Sequence, residues 1–146
     1  MTREARRLAL LRHQSLIADV ARKQAIKGLA DALEGEARSR ALAERARALV
    51  AASAPAPGMT SGAALAGRAG FAAGLAQLAR GAAESAEDAA RQRVWAAETY
   101  AHAETRARRL AELTADARAA LSVVRERREA ARTVPLARKL QGRSEG

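Results

Sequence analysis

The sequence predicts an all-α protein, with two long helices forming an antiparallel coiled-coil hairpin and a basic C-terminal tail. Three observations carry that expectation. Alanine supplies 42 of the 146 residues, and alanine enters a helix with almost no side-chain entropy to lose. A Pro55-Ala56-Pro57-Gly58 cluster divides the chain where neither flank shows strand patterning, and proline ends helices because it lacks the amide and clashes with the preceding turn. From Phe71 onward, apolar residues recur with a mean spacing of 3.5, the period of a helix seam that faces a partner helix. Only eight Val and Ile residues are present and none sits in an alternating run, so strands are not expected.

The first helix is expected over about residues 2–54. Leu10, Ile17, Val20, Ile26, Leu29, Leu33, Leu42 and Leu49 stand along it, several at three- and seven-residue steps, with Ala37 and Ala46 filling gaps. A turn over about 55–61 follows, and Thr60 or Ser61 can cap the next helix by accepting a bond from an unpaired amide. The second helix is expected over 62–133. Steps of four and three from Phe71 meet Leu75, Leu78, Ala82, Ser85, Ala89, Gln92 and Ala96 and continue to Ala131, with thirteen of eighteen positions apolar. Pro135 should end it, giving a hairpin over 1–134 and a basic, mobile tail over 135–146. At 1.5 Å per residue the helices would measure roughly 80 and 105 Å, a rod rather than a globule.

Composition limits what such a rod can bury. Only 29 positions carry Val, Ile, Leu, Met, Phe, Trp or Tyr. Burying an alanine methyl is worth about 0.8 kcal/mol, against roughly 2–3 for leucine, so a marginally stable hairpin is expected. The formal charge is +10 and is unevenly placed. Residues 1–59 hold 11 basic and 6 acidic groups, residues 60–104 hold 4 and 5, and residues 105–146 hold 11 and 5. The longest uncharged stretch, 48–67, is broken by its prolines and glycine and is not expected to span a membrane. The apolar stretch at 8–11 is too short for a secretory signal. Cysteine is absent, which removes disulfides and thiolate sites and fits a cytoplasmic protein.

Catalytic constellations do not emerge, and neither an enzyme nor a cofactor is expected. His13 and His102 are the only histidines. Glu84, Glu87 and Asp88 cluster on one helix without a pocket to shift their titration. Neither an HExxH-type metal pattern nor a phosphate-cradling glycine loop occurs. The runs at 106–109 and 125–128 are interrupted by Glu112, Asp116, Glu126 and Glu129, as on a solvated helix face or one that meets an acidic protein. Interleaved aromatics for base stacking are missing, so nucleic acid is not the expected partner. Trp95 and Tyr100 lie off the Phe71 seam and either flank the groove or serve as exposed anchors. Six of ten glycines lie between Gly58 and Gly81, either letting backbones approach closely or allowing a bendable tip.

This layout resembles the FliJ family of flagellar export proteins. Phe71-x3-Leu75-x2-Leu78-x3-Ala82 is similar to the family's apolar surface early in its second helix. Arg106-Ala-Arg-Arg109-Leu110-Ala-Glu-Leu113 is similar to its basic-Leu-x2-apolar signature, and the basic tail after Val124 also fits. Leu42 and Leu49 stand where the facing surface of the first helix would lie, without the aromatics expected there. The resemblance implies a non-catalytic stalk of a type III export apparatus. It would link the export ATPase hexamer to the export-gate membrane protein, interact with export chaperones, and associate peripherally with the inner membrane. It also implies partner-binding roles for Phe71, Leu75, Leu78, Ala82, Leu42 and Leu49. The alternative is a basic coiled-coil nucleic-acid-binding or scaffold protein.

Overall fold

A computed structural model describes residues 2–54 and 61–144. They form two helices packed against each other, α1 (Arg3–Ala52) and α2 (Gly62–Ser144). Each begins as its first residues dictate. The Thr2 hydroxyl accepts a bond from the Ala5 amide at 3.2 Å and the Thr2 carbonyl one from Arg6, satisfying amides that have no partner inside the helix. Ser61 takes the same role for α2, accepting from the Ala64 amide at 3.3 Å. At the end of α1 the Ser53 hydroxyl donates to the Val50 carbonyl at 3.0 Å. The expected turn over 55–61, with Pro55, Pro57 and Thr60, lies outside the described residues except for Ser61.

Pro135 does not end α2, contrary to expectation. The helix continues through it to Ser144, and every residue from Arg125 to Ser144 is exposed. Proline removes one backbone bond, here the one that would reach the Ala131 carbonyl. Because Ala131 is exposed, water can take that carbonyl. The strong helix formers Ala137, Arg138, Lys139, Leu140 and Gln141 then carry the helix on. The described part of the expected tail is therefore helical.

The chain divides into two compact units. Unit 1 joins Met1–Lys23 to His102–Gly146. Its core is Leu8, Leu11, Ala117 and Leu121, with Ala5, Leu110 and Leu113 packed against it. Partner numbers on α2 fall as those on α1 rise: Ser15 meets Leu110 and Thr114, and Arg22 meets Glu104. The Thr114 hydroxyl donates to the Leu110 carbonyl at 2.7 Å, so its oxygen is left to accept from Ser15 at 2.9 Å. A hydroxyl pair is thus satisfied inside the contact rather than left bare, which limits its desolvation cost.

Unit 2 is Gln24–Ala101, and its buried apolar residues are Ala43, Ala46 and Ala96. Glu36 is buried as well and bonds two guanidinium groups: Arg93 Nε at 2.7 Å and Arg40 at 2.9 Å. A carboxylate removed from water needs such charge-assisted partners.

The covered positions also correct the expected seam. Leu75, Ala82, Ala89 and Ala96 are covered as expected, but the alternating positions are Ala79, Ala86, Arg93 and Tyr100 rather than Leu78, Ser85, Gln92 and Thr99. The same one-residue offset holds in unit 1, where Ala107, Thr114 and Leu121 are covered in place of Arg106, Leu113 and Ala120, although Leu113 remains half-buried. On α1 the large residues Leu10, Ile17, Val20, Ile26, Leu33, Leu42 and Leu49 are exposed, and only Leu29 of the expected stripe is partly covered. Of the two expected gap-fillers Ala46 is buried and Ala37 is exposed, while Ala18, Ala25, Ala32 and Ala43 take other covered or half-covered places.

Candidate functional site

The six residues singled out from sequence all belong to unit 2. Phe71 is 65% exposed and Leu78 61%, while Leu75 and Ala82 are half-buried. Phe71 and Leu78 are seven residues apart and so share one line along α2. Leu42 and Leu49, both exposed, share one line along α1 for the same reason. Of the six, Leu78 and Ala82 are brought to one feature, a shallow open depression of about 590 Å³ that they line with Gly74, Gln77, Gly81 and Ser85. The depression exists because Gly74 and Gly81 contribute no side chain to that face.

Glycine placement there has no internal cause. Gly67, Gly74 and Gly81 follow one another at seven-residue steps within α2, each less favourable than alanine by about 1 kcal/mol. None has a positive φ, and a Cβ built on any of them meets nothing within 4 Å. The close backbone approach offered as one reading of these glycines is not made at Gly67, Gly74 or Gly81 among the described residues.

Other residues raised by the sequence separate cleanly. Tyr100 is half-buried on the covered line of α2, whereas Trp95 is 69% exposed. His13 and His102 are both exposed. Among the described residues, no group of three or more His, Cys, Asp or Glu side chains is placed to hold a metal, and no helix is long and apolar enough to cross a membrane. The two arginine runs differ. Arg108 pairs with Glu104 at 3.7 Å and Arg109 with Glu112 at 3.5 Å, whereas Arg125, Arg127 and Arg128 make no ion pair among the described residues.

One charge cluster bridges the helices of unit 1. Hydrogen bonds from Arg22 and then Lys23 hold the Asp19 carboxyl below its ordinary value of 3.8. The Arg22 guanidinium is raised, first by its bond to Asp19 and further by Glu104, 3.6 Å away on α2. What the described residues present is charge pairing along the helices and uncovered apolar side chains. Searches against family models, curated proteins and solved structures returned no match.

Proposed function

We propose that this protein is a non-catalytic helical stalk, an antiparallel coiled-coil hairpin that links partners in a type III export apparatus. One observation carries the reading. Unit 2 turns Phe71, Leu78, Leu42 and Leu49 outward while its fully buried apolar residues, among those described, are the alanines Ala43, Ala46 and Ala96. A chain free to place leucine inside gains roughly 2 kcal/mol per exchange, so leaving these side chains in water favours a surface that a partner covers. The three-and-four spacing of covered residues and the descending partner numbers in unit 1 support the coiled-coil hairpin. The resemblance to the FliJ family supplies the identity of the partners: the export ATPase hexamer, the export-gate membrane protein and export chaperones, met at the cytoplasmic face of the inner membrane.

A second reading, a basic nucleic-acid-binding or scaffold protein, rests on the +10 charge. One experiment separates them. Tagged protein is isolated from its native bacterium at about 150–200 mM salt, where screening beyond roughly 8 Å is strong, with and without nuclease. The stalk reading expects an export ATPase or gate component to persist after nuclease and to be lost from Phe71→Ala/Leu78→Ala. Both side chains are largely exposed, so helicity should survive. Recovery of nucleic acid alone, released by nuclease, overturns it.

A further inference from the structure

We propose that the C-terminal end of α2, residues 130–144, docks on an anionic lipid bilayer surface. The inference stands apart from the stalk reading and uses none of its partners. Continuation of the helix through Pro135 is the starting observation, because it gives this segment two defined sides. At 3.6 residues per turn, Val134, Leu136, Ala137 and Leu140 fall in one half of its circumference. Arg132, Arg138, Lys139 and Arg143 all fall in the other half.

Among the described residues, nothing covers the aliphatic side or pairs with the cationic one. All fifteen residues are exposed, with Val134 at 52%, Leu136 at 61% and Leu140 at 69%. The segment holds four cations and no acidic residue, and none of those cations makes an ion pair among the described residues. That separates it from the 106–109 run, where Arg108 and Arg109 have glutamate partners on their own helix.

The chemistry of the two sides selects the partner. Nucleic acid would use the cations but not the aliphatic side, and the segment has no aromatic residue on which a base could stack. A bilayer rich in acidic headgroups uses both. The aliphatic side sinks to the headgroup boundary, and the Arg and Lys stems bordering it reach back to the phosphates. Each cation near an anionic membrane raises binding roughly fivefold.

Flotation of the full chain with vesicles tests this at about 100 mM salt, where charges are screened beyond roughly 10 Å. Vesicles of phosphatidylcholine with one quarter phosphatidylglycerol should carry the protein, and pure phosphatidylcholine should not. Arg132→Gln/Arg138→Gln/Lys139→Gln/Arg143→Gln should lower partitioning by on the order of several hundredfold, and Leu136→Ser/Leu140→Ser by roughly tenfold or more. The chain has no cysteine, so a polarity-sensitive dye can be placed singly. At Ala137→Cys it should shift to the blue on anionic vesicles, and at Gly142→Cys, on the cationic side, it should not. Phe71→Ala/Leu78→Ala should bind vesicles as the unaltered chain does, which keeps this test independent of the stalk. Failure to float with anionic vesicles overturns the proposal. So does binding that the Leu136→Ser/Leu140→Ser change leaves intact while duplex DNA competes for it, since that marks a purely electrostatic nucleic-acid surface.

Discussion

In unit 1 the covered apolar side chains are Leu8, Leu11 and Leu121 together with Ala18 and Ala117, whereas in unit 2 they are Ala43, Ala46 and Ala96. Leu29 and Leu75 reach only partial burial in unit 2. Charge divides along the same line. Unit 1 holds 17 basic and 8 acidic residues, a net +9, and unit 2 holds 9 and 8, a net +1. Self-repulsion of the excess cations opposes compactness, and the unit that bears it is the one with leucines to bury. Unit 2 carries little repulsion and gains little from burial, so it relies on helix propensity and on the carboxylate of Glu36 between Arg40 and Arg93. The two units are thus held together by different terms.

The largest effect that could break this contrast comes from truncating the leucines. Leu8→Ala/Leu121→Ala should destabilise the protein by about 3–6 kcal/mol, the transfer term plus the cavity left behind. Leu42→Ala/Leu78→Ala, made at exposed positions, should change stability by less than about 1 kcal/mol. Urea unfolding followed by circular dichroism measures both, and hydrogen exchange should show the first pair loosening amides of unit 1. Equal losses from the two pairs would mean that Leu42 and Leu78 are covered in solution.

Next in size is a gain. Gly67→Ala/Gly74→Ala/Gly81→Ala should stabilise the protein by about 2–3 kcal/mol, because no positive φ or close contact requires glycine at these sites. Slower hydrogen exchange around residues 67–81 would locate the gain in unit 2. Loss of stability would show that another helix, supplied by a second molecule, already lies against this face.

How far the sequence could be read follows from the same contrast. Helix type was legible because alanine dominates everywhere, and the placement of Leu75, Ala82, Ala89, Ala96, Leu110, Ala117 and Val124 was legible because one of the two seam lines carries most of the recognisable residues. The other line was not. Side-chain size favours Leu78 over Ala79, yet the smaller residue is the covered one. Where nearly every candidate is alanine, periodicity cannot distinguish a step of three from a step of four. Arg93 could not be placed inside from its own helix, since its reason for being there is Glu36, fifty-seven residues earlier on α1. Pro135 misled for a related reason: its penalty is decided by whether the freed carbonyl meets water, a property of burial rather than of sequence. Of the candidate site, the residue types were legible, but the exposure of Phe71 and Leu78 follows from the register and came only with the structure.

The smallest effect concerns charge in unit 1 and is read as a pH dependence. Asp19 titrates below its ordinary value in the folded chain because Arg22 and Lys23 hydrogen-bond its carboxylate. Unfolding releases those bonds, so the unfolded chain binds the proton more readily. The stabilisation is therefore present above the ordinary value near 3.8 and is lost as pH falls through the lowered one. Thermal unfolding of Asp19→Asn should lie below that of the unaltered chain at neutral pH, with the gap closing in strong acid. Two features keep the effect small. The carboxylate is 43% exposed, and both of its partners lie one turn along the same helix, where partial helix in the unfolded ensemble preserves some of the pairing. The Arg22–Glu104 bridge at 3.6 Å ties this cluster to α2, so raising salt should shrink the neutral-pH gap. A gap that widens in acid, or that ignores salt, would show that Asp19 acts through something other than these cations, and the account of how unit 1 tolerates its charge would need another term.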